Sequence, residues 1–282
     1  MSKPRKFFLD EYPKIKREFD LQRRNLEQFE TFDKAKEARD KLIRRLRKGG
    51  HEHQKLAKKL SRCKKGRRCW SGACPVCMRR FRRWFASQAL SIIKEQDAPL
   101  LVTFVPSKVD LKRGQLLTLD VRKMIENLRK RLAHTDVANV IVLGAVDISF
   151  NVSDNNHDDG YWQPHFHVVA TGVSKHTLKT VLDPIYNRED NTPRPLKIKH
   201  VRENLPRTIL YTFKPGFSRR SRFKKLEGGP GTKTLPLKPP EVREAALFAD
   251  SISITDRQFL RNIRRHGQQL IVRRNFGDND ND

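Results

Sequence analysis

Two histidines stand two residues apart in the segment Gln163-Pro-His-Phe-His-Val-Val. Side chains two residues apart on a β-strand point to the same face, so His165 and His167 would stand together while Phe166 and Val168 point into the core. Two neutral imidazoles side by side form half of a metal site. Histidine occurs only nine times in the chain, so we predict a metal site here, although two unrelated strand histidines would give the same pattern.

A third ligand is expected from Asp147, because an unpaired carboxylate inside the β-branched segment Val140–Val152 would be costly. If this segment pairs antiparallel with the histidine strand across the turn-rich connection Ser153–Gly160, the carboxylate approaches both imidazoles. The alternative is an edge-strand charge paired with a surface lysine. The connection itself offers three further ligand candidates, although it is more typical of a turn: His157, Asp158 and Asp159.

A tyrosine and two cations follow in Asn204–Lys214, which we predict to be a helix stopped by Pro215 and Gly216. On a helix, Arg207, Tyr211 and Lys214 share one face. A tyrosine that faces a metal between cations suits attack on a phosphodiester, because the cations favour the phenolate and offset charge in the transition state. A tyrosine near a lysine is usually plain surface, so the signal depends on its position after the histidine pair.

All four cysteines of the chain lie close together, at Cys63, Cys69, Cys74 and Cys77. Four clustered thiolates with a Cys-Pro-Val-Cys pair suit a tetrahedral structural zinc ion, and they indicate a reducing compartment rather than disulfides. A redox-active Cys-x-x-Cys pair is the alternative. His51 or His53 remains open as a replacement for one cysteine ligand.

Cations and tryptophans surround the cysteines, which predicts a module that lies against nucleic acid, with a solvated charged face as the alternative. The residues concerned are Arg67, Arg68, Trp70, Arg79, Arg80, Arg82, Arg83 and Trp84.

The whole chain carries 60 Lys and Arg against 32 acidic residues, a net charge of +28, which favours a polyanionic partner without separating DNA from RNA. An apolar run of about 18 residues and a signal peptide are both missing from the sequence, so we expect no membrane association and a cytoplasmic location.

Hydrophobic patterns predict the order strand, helix, strand, strand, helix, strand, helix between residues 95 and 220. The predicted elements are Leu100–Val105, Leu117–Leu132, Val140–Val152, Pro164–Ala170, Ser174–Leu182, Leu196–Val201 and Asn204–Lys214. This order indicates an α+β, ferredoxin-like or RRM-like antiparallel sheet with helices on one face. The other face would then be free to hold the site.

The segments around this domain differ in composition. Residues 1–60 predict a basic helical arm, or alternatively a solvated basic arm, and residues 61–90 form the zinc module. Residues 221–240 are rich in glycine and proline and predict a linker. Residues 241–282 predict a basic helical extension, with Phe259, Ile263 and Leu270 on its buried face and an acidic tail.

Three stretches resemble plasmid rolling-circle replication initiators of the HUH endonuclease superfamily. The first is Cys74-Pro-Val-Cys77 with the arginines and Trp84 that follow it, the second is Gly144–Asn151 with the later Pro164–Val169, and the third is Tyr211-Thr-Phe-Lys214. Together they span about residues 63 to 217. The tyrosine follows the histidine pair, as in replication initiators and some transposases, and the chain has no Tyr-x-x-x-Tyr pair, so the resemblance is to the single-tyrosine class.

The resemblance implies an HUH nuclease fold and a DNA-nicking activity. Tyr211 would attack one strand of an origin hairpin or single strand and keep the 5′-phosphate, Lys214 would assist, and Mg or Mn would lie at His165, His167 and Asp147. A prokaryotic host with a helicase and a polymerase as partners is implied too. Members similar to this chain often have Glu where Arg207 stands, so termination stays open. An HUH transposase and an inactive zinc-containing nucleic-acid-binding protein are the alternatives.

Overall fold

The computed structural model describes residues 29–106, 109–153, 156–186, 195–224 and 230–273, without the side chains of 153–159 and 222–230. The helices are α1 (Phe32–Arg47), α2 (His51–Ser61), α3 (Pro75–Ile93), α4 (Val121–Ala133), α5 (Lys175–Leu182), α6 (Leu205–Thr212) and α7 (Pro239–Ser251). The strands are β1 (Leu100–Phe104), β2 (Leu111–Lys112), β3 (Ile141–Ser153), β4 (Asn156–Thr171), β5 (Leu196–His200), β6 (Ser218–Lys224), β7 (Pro230–Leu235), β8 (Gln258–Arg261), β9 (Ile263–His266) and β10 (Gln269–Val272).

Several of the helices begin at a residue whose side chain caps them. Asp120 accepts a hydrogen bond from the Lys123 amide at the start of α4, and Ser174, where a helix was predicted to begin, accepts one from the Thr177 amide at the start of α5. These side chains satisfy amide groups that have no partner within their own helix. Asn204 plays the same part for α6, although it has a left-handed backbone conformation.

The main sheet is rich in antiparallel pairs, and its strands follow the order β5-β1-β4-β3-β6-β7, with β2 on β4 and β8 on β3. The long hairpin of β3 and β4 at its centre pairs Asp147 directly with His165. The mixed α+β class and the antiparallel sheet that we predicted are therefore confirmed. The strands β9 and β10 form a separate two-stranded sheet.

Both faces of the sheet are covered by helices, so the prediction of helices on one face only is wrong, although the predicted ligands do lie on the second face. On one face, Val142, Val146 and Phe166 belong to a core that includes α4 and α5. On the other face, Leu143 and Ala145 belong to a core that includes α1, α2, α3 and α6. The polar residues of β3 and β4 come next along this second face, beyond its apolar end.

The predicted linker at 221–240 is wrong, because much of it is sheet. β6 pairs in parallel with the end of β3, and β7 pairs antiparallel with β6. Glycine and proline mark the ends of these strands, but they do not prevent pairing with a partner more than 60 residues away in the chain, and local composition does not reveal that partner.

The predicted helical extension at 241–282 is only partly correct. Residues 239–251 form α7, whereas Phe259, Ile263 and Leu270 lie in or between short strands. Their spacing fits a helix, but Asn262 and Gly267 have positive φ values of 54° and 53°, which a helix interior does not accept. The boundary predicted at residue 90 also falls inside α3, which runs continuously from the cysteines into the core.

Candidate functional site

The pairing of β1, β3 and β4 brings the predicted ligands together. Asp147 lies opposite His165, and His167 lies opposite Thr103 on the other side of β4. The Asp147 Oδ2 atom is 3.2 Å from His165 Nε2 and 3.6 Å from His167 Nε2. All three residues are buried. The alternative ligands His157, Asp158 and Asp159 lie in β4, but their side chains fall outside those that the structure describes.

Each imidazole is also held through Nδ1, the ring nitrogen that points away from Asp147. His165 has an acceptor oxygen beside each ring nitrogen, the Gln163 carbonyl 3.3 Å from Nδ1 and Asp147 Oδ2 3.2 Å from Nε2, so a proton on either nitrogen has a partner. His167 Nε2 lies 3.2 Å from the Lys214 ammonium, which only donates, so the His167 proton sits on Nδ1 and is donated to Thr103 Oγ1 at 2.9 Å. Both Nε2 atoms face Asp147, in the orientation that metal-binding histidines have.

Burial sets the charge of this cluster. It lowers the pKa of His165 despite the hydrogen bond that His165 donates to Asp147, and it lowers the pKa of His167 to about 2. Burial by itself raises the pKa of Asp147, but His165 and Lys214 outweigh it and hold that pKa well below its usual range. Near neutral pH the cluster therefore presents two neutral imidazoles and one carboxylate.

The residues fit a divalent cation. One ligand atom from each of Asp147, His165 and His167 lies within 4.8 Å of the others. Both Nε2 atoms lie within 3.6 Å of Asp147 Oδ2, so the three atoms converge on a position that one divalent ion can share. The second Asp147 oxygen, Oδ1, is buried and has no hydrogen-bond partner among the described residues. The set of two imidazoles and one carboxylate leaves further coordination positions open.

Two protein cations reach into this cluster. Lys214 Nζ donates to Asp147 Oδ2 at 2.6 Å, and an Arg220 Nη atom lies 3.3 Å from His165 Nε2. Lys214 was predicted to belong to the site, whereas Arg220 was not. Arg220 lies in β6 opposite Asn151 of β3, so only the long-range parallel pairing of these strands brings it here. Arg219 and Ser221 on either side of Arg220 are buried, but both are polar, so the sequence carries no apolar alternation that would indicate this strand.

Tyr211 covers the open side of the cluster. Its ring centroid lies 4.7 Å from that of His167, and Lys214 Nζ lies 4.7 Å from the Tyr211 ring centroid. Ile209 and Phe213 are buried on the opposite side of the helix, which fixes its rotation about its axis. Tyr211 remains 42% exposed, so its ring contacts both the cluster and the solvent. Arg207, one turn earlier, is exposed.

Arg82 connects α3 to the tyrosine helix, and its predicted contact with nucleic acid is wrong. Its side chain is buried, with Nε donating to the Phe213 carbonyl at 2.6 Å and Nη1 bonded to the Glu30 carboxylate at 2.6 Å. The Phe213 carbonyl lies at the C-terminal end of α6, where carbonyl groups lack partners within the helix. Arg82 therefore holds the end of the helix that carries Tyr211.

Arg257 is a further buried arginine that the sequence did not reveal. β8 pairs with Val142–Ala145 of β3 and β6 pairs with Ser149–Ser153, which leaves a short edge of β3 between them. Arg257 Nε donates to the Val146 carbonyl in this gap at 3.0 Å, and its guanidinium lies 5.2 Å from the Phe213 ring centroid. Burial lowers the pKa of Arg257 to about 10.

The four cysteines form a second candidate metal site. Sγ–Sγ distances of 3.6, 3.7 and 3.8 Å join Cys77 to Cys63, Cys77 to Cys69, and Cys74 to Cys63. Zn–S bonds of about 2.3 Å place tetrahedral sulfur atoms roughly 3.8 Å apart, so the distances fit a zinc ion. Hydrogen bonds from the other thiols lower the pKa of Cys63. Neither histidine left open as a ligand, His51 or His53, belongs to this cluster.

No protein-family model matches the chain, and no curated protein or solved structure is significantly similar to it. Within the described ranges, no helix combines the length and the apolar character that crossing a lipid bilayer requires. Conclusions about function therefore rest on the residues and their geometry.

The other predicted nucleic-acid contacts are divided between the surface and the interior. Arg80 lies 5.8 Å from the Trp70 ring centroid, and Arg79 Nε donates to the Glu30 carbonyl at 2.8 Å. Arg79, Arg80 and Arg83 are all half-buried. Trp84 is buried and its indole nitrogen donates to the Gln268 carbonyl, so it does not belong to a surface that lies against nucleic acid.

Proposed function

We propose that this chain is a DNA-nicking and strand-transferring enzyme of the HUH endonuclease type, which starts rolling-circle replication of a plasmid or phage-like replicon. The observation that carries the proposal is the Tyr211 ring 4.7 Å from the His167 ring, beside the ligand atoms of Asp147 and His165. A phenol next to a divalent-ion site is what transesterification of a phosphodiester requires.

The fold supports the proposal. The elements β1, α4, β3, β4, α5 and β5 follow one another along the chain, and their strands have the sheet order β5-β1-β4-β3. This order is consistent with the ferredoxin-like β-α-β-β-α-β arrangement that the resemblance to HUH nucleases implies, and it supports the proposal. The ligand-bearing strands are the two that form the central hairpin, and the helix with Tyr211 follows β5.

The proposed reaction exchanges one ester for another. The Tyr211 oxygen bonds to the phosphorus of the scissile phosphate, and its proton passes to water, which reaches this exposed side chain. The bond between phosphorus and the 3′-oxygen breaks, and that oxygen takes a proton from water and leaves as a 3′-hydroxyl. The phosphotyrosyl ester keeps the energy of the original bond, so the strand can later be rejoined without another energy source.

The residues of the chain have distinct parts in this scheme. Asp147, His165 and His167 would hold Mg or Mn, which polarises the scissile phosphate when bound. Lys214 and Arg220 lie beside these ligands, where their charges offset the negative charge that develops on the phosphate. Thr103 and the Gln163 carbonyl fix the orientation of the imidazoles.

DNA is the proposed substrate, as a single strand or an origin hairpin. The net charge of +28 favours a phosphate backbone, and the exposed face of Tyr211 offers an approach for an unpaired strand. A host helicase and a polymerase that extends the free 3′-hydroxyl would be the further partners. We further propose that the protein acts in a prokaryotic cytoplasm and that the four cysteines hold a structural zinc ion.

The direct test is a search for a covalent protein–DNA species. The protein is incubated with end-labelled single strands from candidate origins and Mn²⁺, and the products are separated on a denaturing gel. We expect a labelled protein band with the wild-type chain and none with Tyr211→Phe. Tyr186→Phe is the matched control, because Tyr186 belongs to the core on the opposite face of the sheet. Undiminished adduct with Tyr211→Phe would remove the proposed nucleophile.

One observation favours a second candidate function, a zinc-containing nucleic-acid-binding protein without nuclease activity. Lys214 Nζ lies 2.6 Å from Asp147 Oδ2, so a protein cation already neutralises the carboxylate. Such an ion pair would also be found in a cluster that no longer binds metal. DNA binding that is retained, with no covalent adduct from any tested strand in Mn²⁺, would support this candidate against the nickase.

A further inference from the structure

A basic cleft lies on the surface between α2, the loop that connects Cys63 to Cys69, and α7. Its volume is about 600 Å³, and its floor includes Leu56, Cys69 and Leu247. Six cationic side chains line it: Lys55, Lys58, Lys59, Arg62, Arg67 and Arg68. Asp147, His165, His167 and Tyr211 are not among its lining residues, so the cleft is separate from the site that they form.

The cations of the cleft outnumber its carboxylates. The two acidic residues in its lining are each matched by a lysine, with Lys55 3.6 Å from Glu52 and Lys59 2.5 Å from Asp250. Lys58, Arg62, Arg67 and Arg68 have no carboxylate within ion-pairing distance among the described residues. The Arg68 Nε atom is buried and has no hydrogen-bond partner in the described structure. The cleft thus holds an excess of cations over anions.

The backbone holds part of this charge in a fixed position. Lys64 and Arg67 exchange two backbone hydrogen bonds of 3.2 and 3.1 Å, which close a tight turn through Gly66 at a φ of 81°. Cys63 and Cys69, on either side of this turn, belong to the sulfur cluster. Arg67 and Arg68 are therefore presented by a turn that the cysteine cluster holds. Lys58 and Arg62 are four residues apart at the end of α2, so they lie on the same side of it.

We propose that this cleft is a second nucleic-acid site, which binds the sugar-phosphate backbone of DNA away from the strand that is cut. The inference rests on the proposed function for the identity of the ligand as DNA. An excess of lysine and arginine over a concave surface suits consecutive phosphates, and each contact releases condensed counterions. The cleft would hold DNA without reading its sequence, while the tyrosine site acts on the unpaired strand.

The experiment compares two variants with the same change in charge. The cleft variant carries Lys58→Gln, Arg62→Gln and Arg67→Gln, all at exposed positions of the cleft. The control variant carries Lys123→Gln, Lys130→Gln and Arg131→Gln, at exposed positions of α4 on the opposite face of the sheet. Fluorescence anisotropy measures binding of a long random-sequence duplex over a series of KCl concentrations, and circular dichroism verifies the fold.

We expect the cleft variant to lose about tenfold in affinity near physiological salt, and its salt dependence to weaken by roughly 0.9 in log–log slope per lost phosphate contact. The control should lose distinctly less. Equal losses in the two variants would overturn the proposal, because they would show only a general effect of charge. Displacement of the duplex by polyglutamate at equal charge would also overturn it, in favour of an acidic protein partner.

A second measurement separates this inference from the proposed function. Adduct formation on a short single strand should persist in the cleft variant, because that strand does not reach beyond the tyrosine site. If the protein forms no adduct but the cleft variant still loses more DNA affinity than the control variant, the cleft proposal is supported and the nickase proposal is rejected. If the protein forms the adduct but the two variants lose equal affinity, the nickase proposal is supported and the cleft proposal is rejected.

Discussion

The two clusters of potential metal ligands in this chain differ in how far the protein encloses them. The four cysteine sulfurs surround one point, with Sγ–Sγ distances of 3.6 to 3.8 Å along three edges. The cluster of Asp147, His165 and His167 supplies only three ligands, and two protein cations and an exposed tyrosine lie beside it. A closed tetrahedral set suits a structural ion, and an open set suits a catalytic one.

The difference shows how this fold separates stability from reactivity. The cysteines belong to the same core as α1, α2 and α3, so their ion would stabilise tertiary packing. The histidines stand on strands that pair on both sides, so their positions do not depend on an ion. One helix connects the clusters, because α3 begins directly after Cys74 and carries Cys77 and Arg82, and Arg82 bonds to the end of α6.

The largest effect is expected from the cysteines. Cys77→Ser should abolish zinc binding and unfold the core around α3, because binding to structural zinc sites contributes about 10–16 kcal/mol that is coupled to folding. Zinc content by elemental analysis and the thermal midpoint by circular dichroism measure this effect, and a strong chelator should lower the wild-type midpoint in the same way. If the wild-type protein contains no zinc and the chelator does not change its thermal midpoint, the cysteine cluster is not a structural zinc site.

The histidine cluster should behave in the opposite way. His167→Ala should reduce covalent adduct formation by at least about a hundredfold, as loss of a metal ligand does in catalytic sites. Its thermal midpoint should change little compared with that of Cys77→Ser, since its strands remain paired. The adduct assay and the same melting experiment measure the two effects. A loss of folding as severe as that of the cysteine variant would mean that both clusters are structural.

Lys214 should oppose metal binding before DNA arrives. Its ammonium lies 2.6 Å from Asp147 Oδ2 and 3.2 Å from His167 Nε2, where it competes with a divalent ion for both atoms. Lys214→Met should therefore bind Mn²⁺ about tenfold more tightly, which is roughly 1.4 kcal/mol, while it forms the adduct more slowly. Titration of Mn²⁺ by electron paramagnetic resonance measures the affinity. Weaker binding by this variant would show that Lys214 supports the ion.

Much of the fold, and the cluster of Asp147, His165 and His167, could be predicted because the sequence patterns that indicate them are local. The period of two in β3 and β4 indicated that Asp147, His165 and His167 share a face, and the cysteine spacing indicated four ligands. Capping residues such as Ser174 indicated helix starts. These patterns act within a few residues of one another, so they can be identified without knowledge of the tertiary structure.

The missed features depend on distant partners. Arg220 reaches His165 only because β6 pairs with β3, and Trp84 is buried only because the chain returns to it at Gln268. Phe259 had helical spacing but pairs as a strand with β3. Composition cannot distinguish a buried arginine such as Arg82 from an exposed one, because its partner Glu30 lies 52 residues away.

The smallest effect is expected where the two clusters are linked. Arg82→Gln should remove the bonds to the Glu30 carboxylate and the Phe213 carbonyl, and it should loosen the end of α6. We expect adduct formation at saturating DNA to slow by about threefold to tenfold, which is roughly 1 kcal/mol, a typical net value for such bonds. Zinc content and Mn²⁺ affinity should not change, because none of the ligand side chains is altered.

Arg79→Gln is the matched control for this link, because Arg79 lies one turn before Arg82 on α3 and donates to the Glu30 backbone carbonyl, whereas Arg82 bonds to the Glu30 carboxylate and to the Phe213 carbonyl. Arg82→Lys should restore part of the rate, since one ammonium can still donate to the Phe213 carbonyl. Single-turnover adduct assays at saturating DNA separate these effects from changes in DNA binding. If Arg79→Gln slows adduct formation as much as Arg82→Gln does, the effect comes from the contacts with Glu30. The bond from Arg82 to α6 would then not connect the zinc cluster to Tyr211.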